Sequence, residues 1–438
     1  MTDPAMSVTP YWELTFDADG DTDGRKRDRL LAGVRKHRVR DLVVFAHGWN
    51  NDRSSATRLF SGFFAPLPGL APAARIGYAG VVWPSMRFSD EPIPDFPRAV
   101  AAEPPPRPAL DKDIRHALHE TFPGRATVID RIARLLDQRS GEEARLEEFG
   151  RLVRLLVEVA TGPQAPFAAD TLAEGVPQSE PVMLSGATAE VCAEFAGALA
   201  HLESPDAAAR FTLPNPWDGA QELLRQATYY AMKRRAGTVG ERGLGRVLGQ
   251  LAAAAPDVRV HLVGHSFGAR LVSFALRGLP EGVRTVKSVT LLQGAFSHYA
   301  FAARLPHDAR VGGVLKDRHR RIAGPLVCCY SRHDSALGTM YPLASRTAGD
   351  ARGAVEGFDI GRALGAKWGA MGHDGVQAVP GTKSFKLAEA LRAQLPSSGC
   401  VNVDAAEVVR RGGPPAGAHS DIVHRELAQL VVAAGRIR

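Results

Sequence analysis

The chain has 438 residues, of which 45% are hydrophobic and 23% are charged, an ordinary globular composition that excludes a mostly disordered or collagen-like protein. The length fits one large domain with an insertion or two smaller domains. The net charge of +7 is small for this length, so a nucleic-acid partner is not predicted.

The first residues of the chain and its cysteines indicate the expected cellular location. The first residues lack a basic segment followed by an apolar stretch, and no run of about 18 apolar residues occurs, so neither a signal peptide nor a transmembrane segment is predicted. Cys328 and Cys329 are neighbours in an apolar run that predicts a strand, where they would point to opposite faces and would be poor disulfide partners. We therefore expect reduced cysteines and a cytoplasmic location, with export by another route left open.

Short apolar and β-branched runs predict the strands. An alternating run at Tyr11–Phe16 predicts an early edge strand, and continuous apolar runs predict strands buried on both faces. Helical patterns separate several of these runs, so the sequence predicts an α/β protein with a mainly parallel central sheet covered by helices on both faces. In chain order the continuous runs are Asp41–Ala46, Tyr78–Trp83, Val258–Val263, Val286–Leu292, Pro325–Tyr330 and Cys400–Val403.

Two long stretches interrupt the alternation of strands and helices. The run that ends near residue 83 and the run that begins near residue 258 are farther apart than an ordinary crossover allows. Within this gap, residues 86–216 open with a proline-rich segment and continue with helical patterns, notably at Asp130–Ala160. We therefore predict a helical insertion at 86–216 in a core formed by 1–85 and 217–438. The second stretch runs from Met340 to Ser398 and is rich in Gly and Ala. Further helices are predicted at Ala220–Arg234, Gly240–Ala254 and Leu387–Leu395.

The segment with the clearest chemistry is Gly264-His265-Ser266-Phe267-Gly268, which has the pattern G-x-S-x-G. It directly follows the run Val258–Val263 and precedes a helical pattern at Ala269–Leu276. A strand, a sharp turn at a serine and a helix form a nucleophile elbow, in which glycines let the strand and the helix approach closely. The helix N-terminus favours negative charge that develops beside the serine. Ser266 is therefore the predicted nucleophile, and a serine that only caps a helix is the alternative.

With this strand–turn–helix pattern the sequence resembles the α/β-hydrolase superfamily. The resemblance implies the α/β-hydrolase fold and, after the serine in chain order, an acid and then a histidine. It does not extend to the insertion. The segments that carry the resemblance are roughly residues 38–84, 218–335 and 399–436.

The resemblance also indicates which acid and which histidine belong to the site. The acid would be Asp334, because it follows the run Pro325–Tyr330, and Asp404 at the end of the last predicted strand is the alternative. The histidine would be His419, in the loop that follows the last strand and precedes a helical pattern starting at residue 422. His424 is a weaker candidate because we expect it inside that helix.

The tetrapeptide His47-Gly48-Trp49-Asn50 follows the run Asp41–Ala46 and resembles the His-Gly motif of the superfamily. The resemblance implies that the backbone N–H groups of Trp49 and Phe267 form an oxyanion hole. His47, Asn50 and His265 are candidates for contact with the substrate. The alternative for this segment is a strand-ending turn with a packed tryptophan.

The expected function is that of a serine hydrolase acting on an acyl compound, most simply a carboxylic ester of a small molecule or a lipid. His419 would act as the general base toward Ser266, Asp334 would orient the imidazole, and no cofactor would be needed. The insertion would act as a cap or lid. A thioesterase, acyltransferase or amidase would use the same residues, and a protein of this fold that binds without turnover is a further alternative. His116 and His119 lack the glutamate of a zinc motif, so no metal site is predicted.

Overall fold

A computed structural model describes residues 6–49, 51–85, 110–157, 165–172, 181–203, 215–345, 367–413 and 416–438. In this part of the chain one sheet of eight strands forms the centre of the fold. The strands are β1 Tyr11–Thr15, β2 Asp41–Ala46, β3 Ile76–Val82, β4 Arg259–His265, β5 Val286–Leu292, β6 Pro325–Tyr330, β7 Lys383–Lys386 and β8 Gly399–Asp404.

All neighbouring strands are parallel, in the order β1-β3-β2-β4-β5-β6-β8-β7. The predicted α/β class with a mostly parallel sheet is therefore confirmed. The residues of β2 and β3 are buried along their whole length, because helices cover both faces of a parallel sheet. Cys328 packs in the apolar core on one face and Cys329 in the core on the other, as the alternation of a strand requires. All four cysteines are buried and unpaired.

Helices surround the sheet. A π-helical segment, Val239–Leu244, joins α10 to α11, another, Ala336–Met340, leads into α13, and Arg318–Arg321 is a short 3₁₀ helix. None of the helices within the described ranges is long and apolar enough to cross a membrane. The α-helices are α1 Gly24–Lys36, α2 Arg53–Phe64, α3 Leu67–Leu70, α4 Lys112–Thr121, α5 Ala126–Gln138, α6 Glu143–Val157, α7 Ala165–Ala168, α8 Val182–Ser185, α9 Thr188–Glu203, α10 Pro216–Thr238, α11 Gly245–Ala254, α12 Phe267–Gly278, α13 Tyr341–Ser345, α14 Met371–Asp374, α15 Leu387–Arg392 and α16 Arg425–Gly435.

The described part of the predicted insertion 86–216 contains helices α4 to α9. Helix α5 buries Ile129, Ile132 and Leu136 at helical spacing, so its apolar stripe faces inward. These side chains belong to the same continuous apolar core as α10 and one face of the sheet. The boundary near residue 216 is therefore not marked by a separate core. The proline-rich segment 86–109 lies outside the described residues.

Two elements differ from the sequence predictions. Strand β7 lies in the Gly- and Ala-rich stretch, where no strand is predicted, because its residues at the sheet edge are mostly exposed and show no apolar run. Helix α16 begins at Arg425 and not at Ile422, since Ile422 is buried in a non-helical segment that precedes the helix. His424 is the N-cap residue of this helix, with φ −127°, and does not lie inside the helix.

The strand register brings the candidate site residues together at the carboxyl ends of the strands. Ala46 at the end of β2 pairs with Gly264 of β4, and His265 pairs with Leu292 at the end of β5. Tyr330 at the end of β6 pairs with Asp404 of β8. Because all these strands run in the same direction, the loops that follow them meet at their carboxyl ends, where ligands bind in open α/β sheets.

Candidate active site

Ser266 lies in a tight turn between β4 and α12. Its backbone has φ 55° and ψ −120°, a conformation that is uncommon for a residue with a side chain. The turn depends on Gly268, where an added methyl group would overlap the carbonyl oxygen of Ala46 and lie 2.5 Å from that of His47. The N–H of Ser266 donates to the carbonyl of Leu292 at 3.0 Å. Close packing of α12 on β2 therefore holds the serine in this strained turn.

Three side chains from separate loops form a continuous hydrogen-bonded series, Ser266–His419–Asp334. His419 Nε2 lies 2.8 Å from Ser266 Oγ, and His419 Nδ1 lies 2.8 Å from Asp334 Oδ2. The Asp334 carboxylate is fully buried, the His419 side chain is 16% exposed, and Ser266 is 3% exposed. With the Nδ1–H donated to Asp334, the Nε2 lone pair can accept the hydroxyl proton of Ser266. The arrangement can therefore move a proton away from the serine.

Two further donors fix the Asp334 carboxylate. Oδ1 accepts from the N–H of Leu337 at 3.0 Å, and Oδ2 accepts from Nε2 of Gln293 at 3.1 Å. Gln293 has φ 46°, and its Nε2 also donates to the carbonyl of Gly372 at 3.0 Å. Gln293 is not among the predicted site residues, because its contact with Asp334 joins residues that are distant in the sequence. The alternative acid Asp404 instead accepts from the N–H of Ala406 in its own loop at 3.0 Å.

His265 supports the loop that carries His419. Its side chain is buried, and Nε2–H donates to the backbone carbonyl of His419 at 2.9 Å. Burial, together with the neighbouring His419, lowers the pKa of His265 to about 3, so the ring is neutral. His265 is a predicted substrate contact, but this geometry makes it a positioning residue for the His419 backbone.

His47 differs from its predicted role for a similar reason. Its ring is fully buried, Nδ1–H donates to the carbonyl of Gly48 at 2.8 Å, and Nε2 accepts from the N–H of Trp83 at 3.3 Å. The ring stacks on the indole of Trp83 with centroids 5.6 Å apart. Burial lowers the pKa of His47 to about 4, so it is neutral. Both nitrogens are thus used inside the protein, and His47 is not available to a substrate. The other candidate in this loop, Asn50, lies outside the described residues.

The two predicted oxyanion donors belong to Phe267, which follows Ser266 in the chain, and to Trp49, which follows Gly48. Phe267 is the first residue of α12, so its N–H has no acceptor within the helix. An added methyl group at Gly48 would lie 2.7 Å from Cβ of Ser266, which shows how closely the loop of Trp49 approaches the serine. The ring centroid of Tyr229 lies 4.3 Å from that of Phe267 and 5.6 Å from that of Trp49. Tyr229, on α10, was not predicted from the sequence, and its ring contacts the side chains of both residues that would supply the oxyanion donors.

Comparisons with protein-family models, with curated proteins and with solved structures gave no match. The resemblance to the α/β-hydrolase superfamily therefore depends on the motif residues of the chain itself. Within the described ranges, no group of three or more His, Cys, Asp or Glu side chains could hold a metal ion.

A buried cluster of charged side chains connects the predicted insertion to α12, the helix that follows Ser266. Asp170 forms an ion pair with Arg270 of α12, and Lys233 Nζ of α10 lies 2.9 Å from its carboxylate. The Tyr341 hydroxyl donates to Asp170 at 2.7 Å, and the N–H of Ser297 donates at 3.0 Å. Burial alone would raise the pKa of Asp170, but Lys233 and Arg270 outweigh it and lower this pKa to about 2. The cluster therefore links the insertion, α10, α12 and the loop after β5.

A second Ser–His–Asp arrangement provides an internal comparison. His261 Nδ1 lies 2.9 Å from Ser288 Oγ, and His261 Nε2 lies 2.9 Å from Asp41 Oδ1. All three residues are fully buried within β2, β4 and β5. Because these residues are fully buried, a substrate cannot reach Ser288 in this structure. Ser266 differs from Ser288 because it lies in a strained turn at the strand ends, next to a histidine that is part-exposed.

Proposed function

We propose that the chain is a serine hydrolase of the α/β-hydrolase fold that cleaves a carboxylic ester of a small molecule or lipid. The Ser266–His419–Asp334 series, located at a strained strand–helix turn, is the observation that carries this proposal. The position of the serine directly after β4, an inner strand of the parallel sheet, also supports the proposal, because the nucleophile elbow of this fold follows a strand of the central sheet.

In the proposed reaction, Ser266 Oγ attacks the ester carbonyl while His419 Nε2 takes its proton. Asp334 accepts the Nδ1–H throughout, so its charge stabilises the imidazolium that forms. The carbonyl oxygen becomes an oxyanion that accepts from the N–H groups of Trp49 and Phe267. His419 then returns the proton to the departing alcohol, which leaves Ser266 acylated. Water, deprotonated by His419, attacks the acyl group, and release of the acid restores the serine.

The surroundings of His419 favour this proton transfer. His265 lies with its ring centroid 5.1 Å from that of His419, and a positive charge there would oppose formation of an imidazolium. Burial keeps the pKa of His265 at about 3, so it stays neutral at physiological pH. His265 thus orients the His419 loop without adding charge to it.

Other acyl-group chemistry uses the same residues, so thioesters and amides belong among the substrates to be tested. A protein that only binds a ligand would gain nothing from holding Ser266 at φ 55°, because such strain has to be compensated by the surrounding packing. We further propose that residues 86–216 act as a cap that shapes the acyl pocket, since α9 and α6 pack on α10, which carries Tyr229.

The proposal is tested with p-nitrophenyl esters of graded acyl length, together with matched thioesters and anilides. We expect the wild type to hydrolyse at least one ester and Ser266→Ala to lose activity by on the order of 10⁴-fold or more. Ser288→Ala is the matched control, because Ser288 belongs to the fully buried Ser–His–Asp arrangement and should be dispensable for turnover. No turnover by folded wild type, or full activity of Ser266→Ala, would overturn the proposal.

A further inference from the structure

A cavity of about 230 Å³ lies beside α10, away from the candidate active site. Its α10 wall consists of Ala231, Arg234, Arg235 and Thr238, which recur at helical spacing on one face. At about 100° per residue, Tyr229 lies on the opposite face of this helix. The cavity, which we call the α10 cavity, is therefore separate from the serine turn.

The α10 cavity is strongly basic. Four arginines line it, of which Arg234 and Arg235 come from α10, Arg242 from the following π-helical segment and Arg125 from the start of α5. Among the described residues that line the cavity, Asp19 is the single acidic side chain. Arg235 and Arg242 by themselves outnumber the Asp19 carboxylate, which gives the cavity an excess of positive charge.

The described contacts of two of these arginines are to neutral groups. Arg235 donates to the backbone carbonyl of Pro84 at 2.9 Å and to that of Thr121 at 3.2 Å. Burial and the neighbouring Arg234 lower the pKa of Arg235 to about 10, so it remains charged at physiological pH. The Arg242 guanidinium lies 4.8 Å from the centroid of the Phe167 ring. Neutral carbonyls and a ring orient these guanidinium groups but do not neutralise them.

We propose that the α10 cavity binds a doubly charged oxyanion of the phosphate type. Guanidinium groups donate two parallel hydrogen bonds to phosphate oxygens, and several of them around one cavity suit a dianion better than a monocarboxylate. The volume is below the roughly 300–1,000 Å³ of pockets for drug-sized ligands, so the ligand is small. The other wall is apolar, with Phe122, Leu156 and Phe167, and it would accept the organic group of a small phosphate monoester.

The site is tested by isothermal titration calorimetry of the full chain with inorganic phosphate, phenyl phosphate and acetate at constant ionic strength. We expect saturable binding of one phosphate, tighter binding of phenyl phosphate because of the apolar wall, and much weaker binding of acetate. Arg235→Gln and Arg242→Gln should each weaken phosphate binding by about tenfold or more. Because Arg235 also holds two backbone carbonyls, the exposed Arg242 carries the test if Arg235→Gln does not fold.

The matched control is Arg40→Gln, which removes the same charge from a second arginine-lined cavity at the opposite end of the sheet, formed with Arg259, Arg436 and Arg438. Phosphate binding should be unchanged in this variant. Equal affinity in Arg242→Gln and the wild type, equal loss in Arg40→Gln, or no saturable phosphate binding would overturn the proposal. Ester hydrolysis by Arg242→Gln should equal that of the wild type, so this test is independent of the proposed function.

Discussion

Replacing Asp334 by Asn removes one negative charge from the buried end of the Ser266–His419–Asp334 series while keeping the size of the side chain. The native carboxylate accepts three hydrogen bonds, one each from Leu337 N–H, Gln293 Nε2 and His419 Nδ1. An asparagine has one accepting oxygen, so it cannot replace all three. The outcome depends on which of the two oxygen positions its amide oxygen occupies.

The buried donors around residue 334 decide that orientation. If the amide oxygen stays near the Leu337 N–H, the NH₂ group faces both Gln293 Nε2 and His419 Nδ1. His419 must then carry its proton on Nε2, where it cannot accept the Ser266 proton. If the amide is turned round, its NH₂ opposes the Leu337 N–H and leaves a buried donor without a partner. The first orientation therefore removes the tautomer of His419 that can accept the serine proton. The second lowers the free energy of unfolding by about 1–3 kcal/mol.

We expect Asp334→Asn to lower kcat of ester hydrolysis by on the order of 10⁴-fold, as loss of the productive tautomer does in such a series. Steady-state kinetics on the best ester substrate measure this, with thermal unfolding to show that the variant is folded. Asp404→Asn is the matched control, because Asp404 was the alternative acid and accepts from its own loop. If Asp334→Asn retained more than about a tenth of the wild-type kcat, or if Asp404→Asn lost as much activity, the assigned role of Asp334 would be wrong.

Three other outcomes can be checked by urea unfolding. Asp374 raises the pKa of His373 above 6.5, so the stability of this pair is present below pH 6.5 and is lost as the pH rises through the folded value. In His373→Gln the free energy of unfolding should fall less as the pH rises through this range. An unchanged pH dependence would refute the assigned contribution of the His373–Asp374 pair. Gly268→Ala should lower the free energy of unfolding by about 1–3 kcal/mol because the methyl group overlaps the backbone of β2, whereas Gly69→Ala, where the methyl group meets no neighbour, should not. Asp170→Asn should lower the free energy of unfolding by about 3–5 kcal/mol because it removes the carboxylate that pairs with the fully buried Arg270, and a smaller loss would refute this role of the pair.

The inner strands of the central sheet could be predicted from the sequence because they are buried on both faces. Such strands appear as continuous apolar runs, and β2, β5 and β6 have the predicted bounds. Strand β7 has mostly exposed residues at the sheet edge, so its sequence has no such run. The helix after His419 was predicted three residues early, because Ile422 packs in the apolar core from a non-helical segment and not as part of the helix.

The chemistry of the site was predictable where it depends on local sequence. The turn at Ser266 requires glycines on both sides, and that requirement is visible as G-x-S-x-G. Gln293 and Tyr229 contribute through contacts with residues distant in the sequence, and such contacts leave no local pattern. The inward-facing role of His47 also leaves no local pattern, because it depends on contacts with Trp83, which directly follows β3. The roles of Asp334 and His419 came from the resemblance and remain predictions.

The most direct measurement is labelling with a fluorophosphonate probe, followed by intact-mass analysis and peptide mapping. An activated serine should give one adduct on the peptide that contains Ser266. That adduct should be absent in Ser266→Ala and form much more slowly in Asp334→Asn, and Ser288 should stay unlabelled because it is fully buried. Folded wild type without an adduct, or an adduct that persists in Ser266→Ala, would contradict the proposal that Ser266 is the nucleophile of a serine hydrolase.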